Sequence, residues 1–456
     1  MLLAMLKENR HTLKLAAPMI AGQLGQMMMG WADTIMAAKI GVVQLAACSF
    51  AVMVFHVFFV SGFGLISSVS IRVSHAYGAN QPRQAGEVLL AGIVMALLAG
   101  FAMVGLIHLA LPWLPLLGQD PLVLQEGRGM LLLLGWSVVP ALLNIVGKDF
   151  SESLSRPWLP FWIMMGGVAL NVLLNWLFIY GNWGMPRLGL TGAGLGTLLA
   201  RVVVVVVLFA ALFRGRAYRP YIVRTISRKT LVRQVASLFR LGWPSSFHLL
   251  GEVGLFAAAT LMMGWLGATA LAAHQVAITC AATAFMFPLG LALAVTVRVG
   301  QSVGAGEHHR VRPIAFGAIG MGLVSMATFA LVFIFGGGWI AGRFVDDPAV
   351  ASLTATLLMV AGFFALFDGT QIIAMGGLRG LADVRIPMII IYIAYWGVAL
   401  PSGYWLAFRG GWNAPGIWMG LLVGLFCASG AILARFCHSS RRPVDSAVSR
   451  EAAKIY

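Results

Sequence analysis

RGRAYRPYIVRTISRKTLVRQ, from Arg214 to Gln234, is the one clearly polar stretch inside this chain. Long apolar runs flank it, six on each side. Those before it cover roughly 12–38, 43–71, 86–110, 128–150, 158–180 and 188–213. Those after it cover roughly 236–265, 269–298, 312–336, 350–377, 387–408 and 413–437. Each is long enough for a spanning helix, which needs about 20 predominantly apolar residues. The pattern predicts an all-α polytopic membrane protein of twelve transmembrane helices in two six-helix bundles. The expected division is an N-terminal lobe at 1–213, a basic linker at 214–235, a C-terminal lobe at 236–437 and a tail at 438–456.

Composition supports that class. Of 456 residues, 60% are apolar and only 10% are Asp, Glu, Lys or Arg, against about 25% in an ordinary soluble domain. A soluble globule of this size could not cover its surface with so few charges, and a disordered or collagen-like chain would not be this apolar. Cys48, Cys280, Cys427 and Cys437 match no zinc or Cys-x-x-Cys spacing and read as small apolar residues. Lys7, Glu8 and Arg10 lead straight into a long span, and no cleavable signal peptide is evident.

The net charge is +16, which in a soluble protein would suggest a nucleic-acid partner. Here the positions of the charges explain it. Of 31 Lys and Arg, 25 fall before span one, after each even-numbered span and in the central linker; five fall on the other side. Arg201 lies within the sixth span. So strong a bias is the positive-inside signature, and it places both termini in the cytoplasm. No nucleic acid is needed.

The two halves align on themselves. Adding 226 carries Lys14 to Arg240, Pro18 to Pro244, Gly25 to Gly251, Gly41 to Gly267, Gly64-Leu65 to Gly290-Leu291, Arg72-Val73 to Arg298-Val299 and Gly78-Ala79 to Gly304-Ala305, without a gap. Shared apolarity alone would not bring proline, several glycines and the Arg-Val-x-x-x-x-Gly-Ala ending into one register. Each repeat has an even number of spans, so both start on the same side. The repeat is parallel, with a pseudo-two-fold axis near the membrane normal.

Most acidic residues sit in loops or at span ends. Asp33, Glu252 and Asp368 do not. A carboxylate near the bilayer centre costs about 2.5–3.5 kcal/mol on insertion scales, so acids placed there are functional candidates. Glu252 is the counterpart of Gln26, and Asp33 of Ala259, so the halves carry different acids on a shared scaffold. His248 precedes Glu252 by one turn, as a relay or as a packed polar partner. Asn144, Asn171 and Asn175 are amides within spans four and five, readable either as helix–helix glue or as cavity lining. Gln26 opens a run with Met27, Met28 and Met29 that suits either an adaptable apolar wall or plain packing.

Three segments together resemble the multidrug and toxic compound extrusion (MATE) transporters, NorM branch. They are Gly30-Trp31-Ala32-Asp33-Thr34-Ile35-Met36, the stretch from Asn171 through Asn175 to Gly181, and Gly377-Leu378-Arg379-Gly380-Leu381-Ala382-Asp383 with Pro387. The resemblance implies an antiporter of the inner (cytoplasmic) membrane, not an enzyme. It would export cationic lipophilic drugs and dyes in exchange for H+ or Na+ by alternating access. It ties Asp33, Glu252 and Asp368 to cation coupling and substrate binding, with Glu252 and Asp368 as the metal ligands if the ion is Na+. Thr197 falls where it expects a lobe-lining hydroxyl. No cofactor is implied beyond the coupling ion. The expected partners are small cationic drugs and the lipid bilayer, and a monomer is the expectation. The alternatives are a lipid-linked oligosaccharide flippase of the same superfamily and, in another class, an intramembrane enzyme. No HExxH, GxSxG or paired acids on one span support the latter.

Overall fold

The computed structural model describes residues 2–223 and 225–441. The expected tail beyond Arg441 and Arg224 of the linker lie outside the described residues. All regular structure among the described residues is helical. This is what an apolar solvent imposes, since a helix satisfies its backbone N–H and C=O groups internally.

The rods are α1 (Leu2–Ala38), α2 (Val42–Ile66) continued by α3 (Ser68–Gly78), α4 (Pro82–Ala110), α5 (Pro121–Ser153), α6 (Trp158–Tyr180) and α7 (Leu190–Arg214). After the linker come α8 (Arg228–Trp265), α9 (Ala268–Gly304), α10 (Val311–Phe344) and α11 (Pro348–Gly380). Next is an interrupted rod of α12 (Arg385–Tyr392) and α13 (Leu400–Tyr404), and last α14 (Asn413–Ser439). Among the described residues, eleven rods from α2–α3 onward are long and apolar enough to cross a membrane. The 37-residue α1 carries the remaining expected span. The α12–α13 rod contains π-helical turns at Ile393–Ala399 and Trp405–Arg409. Pro401 lacks the N–H that would close an α-helical bond to Gly397, which loosens the ladder there.

The chain forms two compact units. One is Ala21–Ser246; the other is Met1–Ile20 with Phe247–Tyr456. The division therefore runs through α1 and α8 and not through the linker. Each helix changes unit two residues past a proline, Pro18 or Pro244. Proline removes one backbone hydrogen bond and kinks a helix.

In the unit Ala21–Ser246, α5 is central and packs against α2, α4 and α7, over a core that includes Val69, Met130, Leu142, Phe150 and Leu208. In the other unit α11 takes that place against α9, α10 and α14, over Leu291, Ile314, Leu358, Trp418 and Phe436.

The repeat is visible in how each exchanged helix end is held. Gly64 on α2 lies so close to α8 that a Cβ there would sit 2.5 Å from the Ser246 Cα. Its counterpart Gly290 on α9 meets the Ile20 Cα at 2.8 Å. Only glycine permits backbones to approach this closely. Arg72 donates to Gln234 Oε1 at 3.4 Å. Its counterpart Arg298 pairs with Glu8 and donates to the Thr12 hydroxyl at 2.6 Å. The turns after α3 and α9 also match: Gln81 N–H donates to Ala76 O at 2.9 Å, and Glu307 N–H to Ser302 O at 2.8 Å. Asn80 and Gly306 supply the left-handed residue, at φ 56° and 73°.

Candidate functional site

Each unit holds its own group of buried polar side chains. In Ala21–Ser246 the group centres on Asp33. This acid lies five residues before the end of α1 and is 7% exposed. Asn175 Nδ2 donates to its Oδ1 at 2.5 Å, and the Thr197 hydroxyl donates to its Oδ2 at 3.4 Å. Asn171 Nδ2 donates to the Thr197 hydroxyl at 3.1 Å, and its own carbonyl accepts from Asn175 at 3.5 Å. Asn171 and Asn175 are one turn apart on α6 and share a face. Asn171, Asn175 and Thr197 are all buried. Gly196, beside Thr197 on α7, clears space for the Asn175 carbonyl, which a Cβ there would strike. That side-chain carbonyl oxygen is buried and has no hydrogen-bond partner among the described residues. These amide and hydroxyl donors fix the carboxylate in position, since hydrogen bonds to a charged acceptor contribute about 1.5–3 kcal/mol each.

Arg201 belongs to the same surroundings. It sits near the middle of α7, one turn past Thr197. Its Nη1 donates to the Ser137 hydroxyl on α5 at 2.7 Å. The guanidinium lies over the rings of Phe55, at 4.8 Å, and Phe59, at 5.9 Å, both on α2. It acts electrostatically on Asp33 without forming an ion pair with it. An arginine inside a span costs about 2.5–3.5 kcal/mol. A desolvated cation–π contact contributes about 2 kcal/mol, and a hydrogen bond from a charged donor about 1.5–3 kcal/mol. The local contacts thus offset the cost and hold the charge in place.

In the other unit, Glu252 on α8 and Asp368 on α11 are half-buried and repel one another electrostatically. Among the described residues neither carboxylate has a hydrogen bond or an ion pair to the protein. The buried Tyr395, in the first π-helical turn of the α12–α13 rod, is within electrostatic reach of both. Its hydroxyl accepts from Gln371 Nε2 at 2.7 Å, and Gln371 lies three residues after Asp368, on the same face of α11. Arg379 is buried near the end of α11. It interacts electrostatically with Glu252 and lies 3.5 Å from His248 Nδ1. His248 Nε2 and Gln371 Oε1 are buried without hydrogen-bond partners among the described residues.

The remaining candidates lie apart from these groups. Gln26 is exposed on α1, with Nε2 3.6 Å from the Met164 sulfur. Asn144 is half-buried on α5 and makes no side-chain hydrogen bond among the described residues. Among the described residues no three His, Cys, Asp or Glu side chains gather in a way that could hold a metal ion.

Sequence reading did not single out Arg201, Arg379, Tyr395 or Gln371. Arg201 carries the same insertion cost as the acids, and its place within the sixth span is the signal that marks it. Arg379 reads as a loop cation after a span ending at 377, but α11 continues to Gly380 and buries it. Asp149 and Glu152 read as span-end acids. Yet α5 runs on to Ser153, and both are buried together with Lys148, whose charge acts on each of them.

Helical rods that cross a membrane and gather carboxylates, amides and arginines inside their units define a polytopic membrane protein with its chemistry buried among its helices. The chain belongs to the MatE family. The family model matches twice, at residues 18–177 and 244–405, so the second match begins 226 residues after the first, in the register of the internal repeat. The Multidrug resistance protein NorM of Burkholderia vietnamiensis is 36% identical over 434 residues, covering 93% of each chain. The "Probable multidrug resistance protein NorM" of Pseudomonas putida is 37% identical over 454 residues, covering 98% of each. In fold, the chain matches the crystal structure of the eukaryotic MATE transporter AtDTX14 with a TM-score of 0.87 at 21% identity, over 97% of this chain and 99% of that one.

Proposed function

We propose that the protein is a multidrug efflux antiporter. It exports cationic lipophilic compounds in exchange for H+ or Na+, with Asp33, Glu252 and Asp368 as the cation-binding groups. The observation that carries the reading is the placement of these three carboxylates inside apolar helices. Asp33 is held ready by Asn175 and Thr197, while among the described residues Glu252 and Asp368 have no hydrogen-bonding protein partner. Drug and ion compete for the same acids, and the two are exchanged because the two access states differ in affinity for each. If the ion is Na+, Glu252 and Asp368 supply its carboxylate ligands; a hard cation would take further oxygens from backbone or water. The names of the bacterial relatives support the substrate class and an inner-membrane location, and the bias of Lys and Arg supports cytoplasmic termini. The working unit is a single chain.

The driving force is sufficient. One charge crossing the membrane supplies about 2.3 kcal/mol per 100 mV, which corresponds to roughly 50-fold accumulation. The test is drug/ion exchange in vesicles carrying Asp33→Asn, Glu252→Gln or Asp368→Asn. Each variant should lose about tenfold or more in coupled efflux. Undiminished exchange in both E252Q and D368N would remove the assignment.

A further inference from the structure

Arg201 is a half-buried charge within a span that the proposed exchange leaves unused. Its position is built from four elements. On α7 it shares a face with Thr197, one turn or about 6 Å of rise away, and Thr197 donates to Asp33. On α5, Ser137 accepts its Nη1 proton at 2.7 Å. On α2, Phe55 and Phe59 stack with ring centroids 5.5 Å apart and cap its guanidinium. On α1, Asp33 is the acid within its electrostatic reach. Among the described residues no carboxylate pairs with it directly. The guanidinium is fixed by neutral partners, and its field falls on the carboxylate that also has to bind a cation.

We propose that Arg201 is a fixed competitor cation, a positioning residue that weakens cation binding at Asp33 so that drug and coupling ion displace one another. This rests on the reading of Asp33 as a cation-binding carboxylate. The charge arithmetic carries it. With Arg201 present, the group is neutral when Asp33 is ionised and carries one positive charge when Asp33 holds H+ or Na+. A cationic drug then meets repulsion at the moment the coupling ion has bound. Without Arg201 the same step takes the group from one negative charge to zero, and the occupied site merely stops attracting the drug. A proton, a sodium ion and a monovalent drug cation at this carboxylate all feel the same guanidinium, so its removal strengthens all three.

The charged and titratable groups around Asp33 support the isolation of the effect. Among the described residues, Arg201 on α7 is the cation that acts on it, and Cys48 on α2 is a further titratable neighbour. The partners from α6 are amides. The second unit has the same device from unrelated positions: Arg379 acts on Glu252 through space and is steadied by His248.

The test is efflux of a monovalent cationic dye from proteoliposomes, with the coupling cation varied as pH and, separately, as Na+ concentration. Arg201→Met and Arg201→Gln both remove the charge, and one folded variant suffices; the methionine also relieves the apolar span of a charge. Each should lower the half-maximal coupling-cation concentration by about tenfold, the effect of one neighbouring charge. Each should lower the half-maximal dye concentration by a similar factor, with slower maximal efflux. Arg201→Lys should restore the wild-type midpoint. In an Asp33→Asn background, R201M should no longer move it. If D33N shifts the profile while R201M and R201Q leave it in place, the role of Arg201 is refuted and that of Asp33 stands. If R201K shifts it as far as R201M, charge is not the cause and the proposal also fails. If D33N itself leaves the profile unchanged, the reading of Asp33 falls and takes this inference with it.

Discussion

Glu8 offers the sharpest test of how the exchanged helix end is held. Its carboxylate pairs with Arg298 and, at 3.0 Å, with Arg310. The Glu8 and Arg298 side chains are 14% and 10% exposed, and Arg310 is 37% exposed. Breaking a buried pair costs about 3–5 kcal/mol because a charge is left uncompensated, whereas an exposed pair is worth about 0–1 kcal/mol. After Glu8→Ala, Arg310 can turn to water. Arg298 keeps the Glu8 carbonyl at 2.7 Å and the Thr12 hydroxyl at 2.6 Å. The loss should therefore fall between the limits, at about 2 kcal/mol. That corresponds to about 4–8 °C in the thermal midpoint measured by tryptophan fluorescence in detergent. Glu8→Gln should cost only about half as much, because the repeat already contains that arrangement in Arg72 and Gln234. Acid distinguishes the two. Burial alone would raise the Glu8 carboxyl, but hydrogen bonds and charge from Arg310 and Arg298 outweigh it and hold the group below its ordinary 4.5. A group lowered on folding contributes fully above its unfolded value and loses that contribution as pH falls through the folded one. The advantage of wild type over E8Q should thus be constant from about pH 7 to 5 and shrink below 4.5. The reasoning fails if E8A melts like wild type, if E8Q is as damaging as E8A, or if the advantage persists unchanged in acid.

Gln234→Glu should do the reverse in the unit Ala21–Ser246, making the Arg72 hydrogen bond at this position a charged one and raising the thermal midpoint by a few degrees, or about 1 kcal/mol. Trp418→Phe removes the N–H that reaches His274 Nδ1 at 3.2 Å and leaves a buried acceptor unpaired. It should cost about 1–3 kcal/mol, read as a lower melting midpoint with transport retained below that temperature. Asn175→Ala deletes the 2.5 Å donor to Asp33 and should reduce dye efflux by about tenfold or more, from a bond worth about 1.5–3 kcal/mol, while the protein remains folded by size-exclusion chromatography.

Much of the fold is legible because apolar runs of spanning length admit few structures, and because proline and glycine at matched positions mark a repeat. Pro18 and Pro244 signal kinks, but nothing in their neighbourhood says that a helix leaves one unit for the other there; that depends on which surface its far half buries. The close approaches at Gly64 and Gly290 are legible only as matched glycines. In the site, Asn171 and Asn175 announce a shared face through their spacing, but their convergence on Asp33 is set by how α6 packs against α1. Thr197 is one hydroxyl among many and comes forward only by resemblance. Arg379, Asp149 and Glu152 escape because charge at the end of an apolar run looks like solvent contact until the helix is seen to continue.

The central claim is that drug and coupling ion bind the same carboxylates in alternation. It is tested most directly by counting the ions released when a saturating cationic dye binds purified protein in detergent. H+ is read with a pH indicator in weak buffer, and Na+ with a selective electrode. The account predicts about one H+ or Na+ released per dye bound by wild-type protein, and none from the variant carrying Asp33→Asn, Glu252→Gln and Asp368→Asn together. Tight dye binding by wild-type protein with no ion released, or equal release from the triple variant, would contradict it.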